Sequence, residues 1–276
     1  MNALTGIAAV FYVLSTSVYA VYLFKQRDLL QRIGFVLIAC GLGVHTIAIM
    51  LESARMGYLP VHNLRETLSL VAWSVAAVYL WLRFRLQIKI MGVYAAPLVA
   101  LVFLASLNFP EIPATTPDVF KSAWLVFHVI LVFIGEASLA MACGTGILYL
   151  IQEKAIKSKK RGFFYTRLPS LEQLDATGYS LVGVGFTAFT VGLIIGLVYA
   201  KMVWHRFASW DPKEIWSGIS WLVYAILLHE RIAVGWRGKR AAIMAIVCFG
   251  VLLFSFFGVN FLLGGNHEVF TKWQAP

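Results

Sequence analysis

The sequence has few charged residues, since Asp, Glu, Lys and Arg together make up only 13% of its 276 residues. Soluble domains carry roughly a quarter charged residues, so this shortage argues against a soluble globular protein. Hydrophobic residues make up 60% of the chain and occur in long runs separated by short polar connections. No connection is long enough for a large soluble domain. The composition therefore favours a membrane protein.

Cysteine is also scarce. Cys40, Cys143 and Cys248 lie far apart in sequence and inside apolar stretches, which argues against a redox pair or a cysteine metal site. We interpret all three as small core residues. The first segment lacks a basic n-region and a small-residue cleavage site, so we expect it to be a retained span and not a signal peptide.

Eight apolar segments are candidate transmembrane spans, because a helix needs about 20 apolar residues to cross a bilayer core. Continuous apolar runs without strand-like alternation predict helices. The sequence thus predicts an all-α, polytopic transmembrane helical bundle that forms a single integral membrane domain over residues 1–276. We expect the segment 57–67, before the short third span, to dip into the membrane interface. The predicted spans are 3–24, 33–51, 68–82, 90–107, 122–151, 177–200, 217–234 and 241–262.

The net charge of +10 is interpreted as membrane topology and not as nucleic-acid binding, because the charges lie in short loops. With the N-terminus outside, 16 of the 23 basic residues fall in inner loops. Cytoplasmic loops are enriched in Lys and Arg, so the sequence predicts N-out and C-out. The longest inner loop, about 152–176, is basic: it lies against anionic headgroups or acts only as a stop-transfer signal.

The outer loop of about 201–221 is rich in tryptophan. An aromatic belt at the membrane interface explains the tryptophans but not the D-P-K-E run at 211–214. Asp211 is expected to cap a helix that has Pro212 in its first turn. We interpret the indoles near this helix start as a platform for a flat aromatic ligand. The tryptophans are Trp204, Trp210, Trp216 and Trp221.

Histidine provides the second part of the predicted site. His128 lies near the outer end of the fifth span and His267 just beyond the last span, on the face that carries the tryptophan loop. Two histidines beside an aromatic surface can be axial ligands of haem iron, although each alone could be a hydrogen-bonded helix residue or a solvated tail residue. His229 and His45 lie within spans, where ionisable groups suggest function. They are roughly 7 Å and roughly 18 Å from the inner boundary, a poor match for one haem.

The tryptophan loop carries a family resemblance. The run W-H-R-F-A-S-W-D-P-K-E-I-W, followed by W-L-V-Y-A-I-L-L-H-E-R, resembles the "WWD" signature of haem-handling cytochrome c assembly proteins. Within these, the chain is most similar to the CcsA-type subunit of the system II cytochrome c synthase. The segments L-P-V-H-N-L-R-E-T-L and G-V-N-F-L-L-G-G-N-H also resemble that family, so the resemblance covers most of the chain.

The resemblance implies a protein that receives haem b at the inner side and presents it outside. There the haem is joined to the CxxCH cysteines of an apocytochrome c. His128 and His267 match the family's external haem ligands, and His229 matches a ligand within the membrane. The protein's part would be ligation, orientation and control of the iron's redox state. No nucleophile–base–orienter set for other covalent chemistry is visible in the sequence.

The resemblance also implies partners and a location. The partners are a CcsB or Ccs-one-type membrane subunit with a large outer domain, apocytochrome c and thiol-disulfide factors, with no nucleic acid. The location is the bacterial cytoplasmic membrane, or the thylakoid membrane if the protein is plastid-encoded. Taken together, the implied function, partners and location would make this chain the haem-handling subunit of a cytochrome c synthase.

The sequence departs from the family pattern in three places. His205 stands where a glycine is usual and becomes another external ligand candidate, Ala208 replaces a tryptophan, and the run around His267 is altered. A second function from a different class is a haem-binding membrane regulator or haem exporter without synthase activity. A third is a secondary transporter, against which the lack of a clear inverted repeat argues.

Overall fold

The fold is given by a computed structural model that describes residues 3–86, 88–110, 121–158, 162–205 and 210–258. In these ranges all regular structure is helical. The helices that end at His229 and Leu253 continue into short π-helical turns at Glu230–Val234 and Phe254–Gly258. The long helices are α1 (Ala3–Lys25), α2 (Asp28–Met56), α3 (Leu64–Leu86), α4 (Met91–Ser106), α5 (Ala123–Lys157), α6 (Leu171–Trp204), α7 (Pro212–His229) and α8 (Lys239–Leu253).

Six of the described helices, α1, α2, α3, α5, α6 and α8 with its π turn, are long and apolar enough to cross a membrane. α4 is apolar but has 16 residues, and α7 begins with the polar Pro-Lys-Glu sequence. Large apolar side chains such as Val10, Phe24, Met50 and Leu101 are exposed on the outside of the bundle. A surface this apolar is suited to lipid. The chain is therefore a multi-pass membrane protein, and the predicted fold class is confirmed.

All eight predicted spans coincide with helices, but the connections differ from the expectation. Helix α5 continues to Lys157 and α6 begins at Leu171, so both helices extend into the range expected as the basic inner loop. Residues 201–204 and 212–221 of the expected outer tryptophan loop are also helical. Charged and aromatic residues continue helices beyond an apolar stretch, so hydropathy places the helix ends too far inward.

The bundle consists of two halves. In the first half, α1 packs along α2 and against α4, and α3 packs along α4. In the second half, α5 packs along α6 and against α8, and α7 contacts both α6 and α8. Contacts between α3 and α5 join the halves. The second half contains most of the predicted site residues and is therefore the part that positions them.

The segment before α3 is buried and begins the helix. Its residues Pro60, Val61, His62 and Asn63 are all buried within the bundle, and the expected dip of 57–67 into the membrane interface stays a prediction. The Asn63 side chain accepts the backbone N–H of Glu66 at 2.9 Å, and the Glu66 carboxylate accepts the N–H of His62 at 3.1 Å. These reciprocal bonds satisfy N–H groups at the helix start. The N-L-R-E sequence thus acts as a helix-start signal.

The cysteines are only partly where we expected them. Cys143 and Cys248 are buried, as predicted, and all three thiols are free. Cys40 is exposed on α2, which corrects its interpretation as a core residue. A small, weakly polar thiol is compatible with a lipid-facing position, because lipid does not penalise exposed apolar groups as water does.

Candidate functional site

His128 has a ring whose two nitrogens are differently placed. It is the sixth residue of α5, half-buried, and its Nδ1 lies 2.7 Å from the backbone carbonyl oxygen of Gly192 on α6. A carbonyl can only accept, so Nδ1 carries the proton and donates. The lone pair is therefore on Nε2. Metal-bound histidines are commonly held in this way, with one ring nitrogen donating to a carbonyl and the other coordinating the metal.

Glycines on α6 create the space for the His128 ring. A Cβ atom added at Gly196 would lie 2.6 Å from Cε1 and Nδ1 of that ring, and one at Gly192 would lie 2.8 Å from Val132. Small residues let transmembrane helices approach closely enough for such contacts. The orientation of His128 is thus fixed by α5–α6 packing, the most extensive helix contact in the bundle.

The start of α7 carries a lysine whose charge reaches His128. As predicted, Asp211 is the N-cap of this helix and Pro212 its first residue, and the buried Asp211 side chain accepts the backbone N–H of Lys213 at 2.9 Å. The charge of Lys213 acts on His128 and on Glu136, both in α5. The partial positive charge of the α7 N-terminus adds to this field. A cationic group therefore accompanies the outer histidine.

The tryptophans at this helix start divide between different neighbours. Trp216 lies edge-on to Phe254 of the α8 π turn, with ring centroids 4.6 Å apart. Trp221 stacks on Phe186 of α6 at 5.5 Å, and its indole N–H donates to Thr190 at 2.9 Å. Five residues of helix rotate a side chain by roughly 140°, so these two rings cannot share one face. The expected single platform is therefore not formed by Trp216 and Trp221 together.

The remaining residues of the outer loop are exposed where they are described. Trp210 is 79% exposed and His205 is also exposed, and both have left-handed backbone conformations with φ of 54° and 56°. Such conformations are uncommon for residues other than glycine. The side chain of Trp204, residues 206–209 and His267 lie outside the described part of the chain. The predicted pairing of His128 with His267 therefore stays a prediction.

His229 lies at the opposite end of α7. Its ring is exposed on the surface of the bundle, and among the described residues it makes no hydrogen bond. An imidazole within an apolar surface needs partners for its nitrogens. This chain supplies none in its described part, so the ring is open to a group outside the bundle.

His45 is held inside the first half of the bundle. Its ring is 1% exposed and lies 4.4 Å from the Phe103 ring. Nδ1 is hydrogen-bonded to the Tyr12 hydroxyl at 3.2 Å, and Nε2 to the Ser69 hydroxyl at 2.8 Å. Because both nitrogens are engaged, this histidine has the contacts of a structural residue.

Glu136 and the pair of His62 and Glu66 were not identified from the sequence as site residues. Glu136 is a carboxylate deep inside a predicted span, a feature that could have singled it out. His62 lies in the family segment before α3, and its Nδ1 is 2.8 Å from the Glu66 carboxylate. No sequence signal marks the His62–Glu66 contact beyond their spacing of four residues.

Comparison with known proteins identifies the family of this chain over most of its length. Residues 61–267 match the family model described as "Cytochrome C assembly protein". The chain is 32% identical to a cytochrome c biogenesis protein CcsA of Synechococcus sp. (strain JA-3-3Ab), over 89% of this chain and 87% of that protein. It is 33% identical to the CcsA of Guillardia theta over 81% of each chain, and 34% identical to that of Porphyra purpurea over 77% and 79%. The chain therefore belongs to the cytochrome c assembly protein family and acts in cytochrome c biogenesis.

Proposed function

We propose that this protein binds haem b at its outer face, presents it to apocytochrome c and takes part in its covalent attachment to CxxCH. The observation that carries the proposal is the geometry of His128. Its Nδ1–H is committed to the Gly192 carbonyl at 2.7 Å, which leaves the Nε2 lone pair for a metal. The donor set therefore fits haem, whose iron His128 would ligate. His267 is proposed as the second ligand, with His205 as the alternative.

The residues around His128 have separate tasks in this proposal. The glycines of α6 hold the imidazole in one orientation, and Asp211 fixes the start of α7 so that Lys213 stays beside the site. The exposed Trp210 and the half-buried Trp216 offer apolar contact area to a flat ligand near that helix start. When bound, haem supplies the vinyl groups with which the CxxCH thiols form thioether bonds.

The inner end of α7 supports a second haem site that requires another subunit. The His229 ring is exposed on the apolar surface of the bundle, and it makes no hydrogen bond in the described part of the chain. We propose that a CcsB or Ccs-one-type subunit contributes the opposite ligand there. Apocytochrome c and thiol-disulfide factors would act on the outer side, and the membrane is the bacterial cytoplasmic membrane or the thylakoid membrane.

The direct test is the pigment of the purified protein. Protein made in haem-replete cells should give a pyridine haemochrome spectrum of haem b, alone or with its partner subunit. Purification without haem in both forms would contradict the proposed site. Bound haem b together with failure to mature a co-expressed cytochrome c would instead favour the haem regulator or exporter.

A further inference from the structure

One face of α7 points into the middle of the second half of the bundle. α7 contacts α6 through Trp221 and the α8 π turn through Trp216, and α5 packs against both α6 and α8. The side chains between Trp216 and Trp221 on the helix surface are therefore directed across the bundle towards α5. Along this face, at helical spacing, lie Lys213, Ser220 and Tyr224.

The hydroxyl groups on this face are buried without a protein partner. Ser220 is 1% exposed and Tyr224 is 0% exposed. Among the described residues, neither the Ser220 Oγ nor the Tyr224 hydroxyl has a hydrogen-bond partner. Buried hydroxyls are normally paired, and where the protein offers no partner an ordered water usually provides one. Two such groups one helical turn apart indicate a small hydrated space.

Glu136 is an acidic group deep in the bundle that acts on both ends of this face. It lies on α5, two helical turns below His128, and carries a half-buried carboxylate. It interacts electrostatically with Lys213 at the outer end of the α7 face and with Tyr224 further in. A carboxylate at this depth is costly unless water or a counter-charge stabilises it, and such residues serve in proton relays.

We propose that Glu136, Ser220 and Tyr224 form a hydrated proton-binding site between α5 and α7, which connects to the outer solution past Lys213. Its ligands are water and one exchangeable proton. Lys213 is the counter-charge of Glu136 at the outer end. The other titratable groups that act on Tyr224 at the inner end are Cys143 of α5, Cys248 of α8 and Tyr94 of α4. They are neutral thiols and a phenol, so Glu136 is the group that gains and loses the proton.

The spacing of these groups gives the site a direction. Eleven residues of helix separate Lys213 from Tyr224, a rise of roughly 16 Å, or about half of a bilayer core. The predicted topology places Lys213 on the outer side and Tyr224 near the middle of the membrane. The proposed site thus runs from the outer end of α7 to the middle of the bundle. It needs no bound haem, so failure of the proposed haem site leaves this inference intact, and the reverse also holds.

Infrared difference spectroscopy of the protein in lipid tests the proposal. As the pH of the medium is lowered, the C=O band of a protonated carboxyl group should appear, and it should shift when H2O is replaced by D2O. Glu136→Gln should abolish this band. The matched control is Glu153→Gln, which removes a carboxylate from the inner end of the same helix, where it pairs with Lys157 at 2.7 Å. The Glu153 variant should keep the band.

The hydroxyl groups are tested by the rate of deuterium exchange. Ser220→Ala together with Tyr224→Phe leaves the carboxyl group of Glu136 in place but removes the groups that hold water. The exchange of the Glu136 band should then become slower than in the unaltered protein. Absence of a band that depends on Glu136 at any pH would overturn the proton-binding site. If the Glu136 band exchanges at the same rate in the double variant and in the unaltered protein, the hydrated space is contradicted.

Discussion

At the scale of single residues, the hydrogen bonds of a histidine determine whether it is available to a ligand. His128 uses one ring nitrogen to hold itself against α6 and keeps the other free of protein hydrogen bonds in the described structure. His45 uses both nitrogens, with Tyr12 and Ser69. His229 is exposed and makes no described hydrogen bond. Three histidines within helices are thus suited to three different roles.

His45→Ala should destabilise the protein while leaving its haem content nearly intact. The substitution leaves the buried hydroxyl of Tyr12 and the half-buried hydroxyl of Ser69 without their partner. Loss of the partner costs about 1–3 kcal/mol for a buried group. His229→Ala should instead lower the haem content with little loss of stability, because its ring is exposed. Thermal unfolding in detergent and the haem-to-protein ratio separate the two effects. Greater haem loss in the His45 variant would assign the intramembrane ligand pair to this chain alone.

Gly196→Ala should lower haem content through displacement of His128. The added methyl group would lie 2.6 Å from the imidazole ring, so the ring must move and its bond to Gly192 must lengthen or break. Gly183→Ala is the matched control, because a Cβ at Gly183 of the same helix meets no atom within 4 Å. The haem-to-protein ratio of the two variants is the measurement. Equal ratios would mean that the orientation of His128 has no part in haem binding.

At the scale of helices, the start of α7 is the feature on which the outer site depends. Asp211→Ala should lower stability by about 1 kcal/mol, because it removes an N-cap, whereas Asp211→Asn should keep most of the stability. Ser170→Ala is the matched control. Ser170 caps α6 at the inner end of the bundle, where its side chain accepts the Gln173 N–H at 3.2 Å. Both alanine variants should unfold at lower temperature. Only the Asp211 variant should also lose haem, and equal haem loss in both would contradict a local role.

The helices could be predicted from sequence more reliably than their ends or their mutual contacts. Apolar runs fixed the presence and order of all eight helices, and the D-P-K-E run correctly predicted the cap of α7. The helix ends extended further because polar residues are good helix formers outside the apolar core. The contacts of Trp216 and Trp221 with two different helices, and the interaction of Lys213 with Glu136, depend on tertiary packing. Residues this far apart in sequence carry no local signal of their contact.

At the scale of the whole molecule, the predicted topology decides which side each site faces. We expect reporter fusions at Lys159 and at Lys272 to report the cytosol and the outside respectively. The reason is the excess of Lys and Arg in the loops assigned to the cytosol. Both reporters on the same side would contradict the N-out, C-out arrangement.

The proposal that His128 ligates the outward haem is tested by absorption spectroscopy of His128→Gly with and without added imidazole. Glycine leaves a cavity in which free imidazole can coordinate the metal in place of the lost side chain. We expect an altered haem spectrum and lost cytochrome c maturation, with imidazole partly restoring both. An unchanged spectrum and normal maturation in His128→Gly, with the same result for His267→Gly, would contradict it.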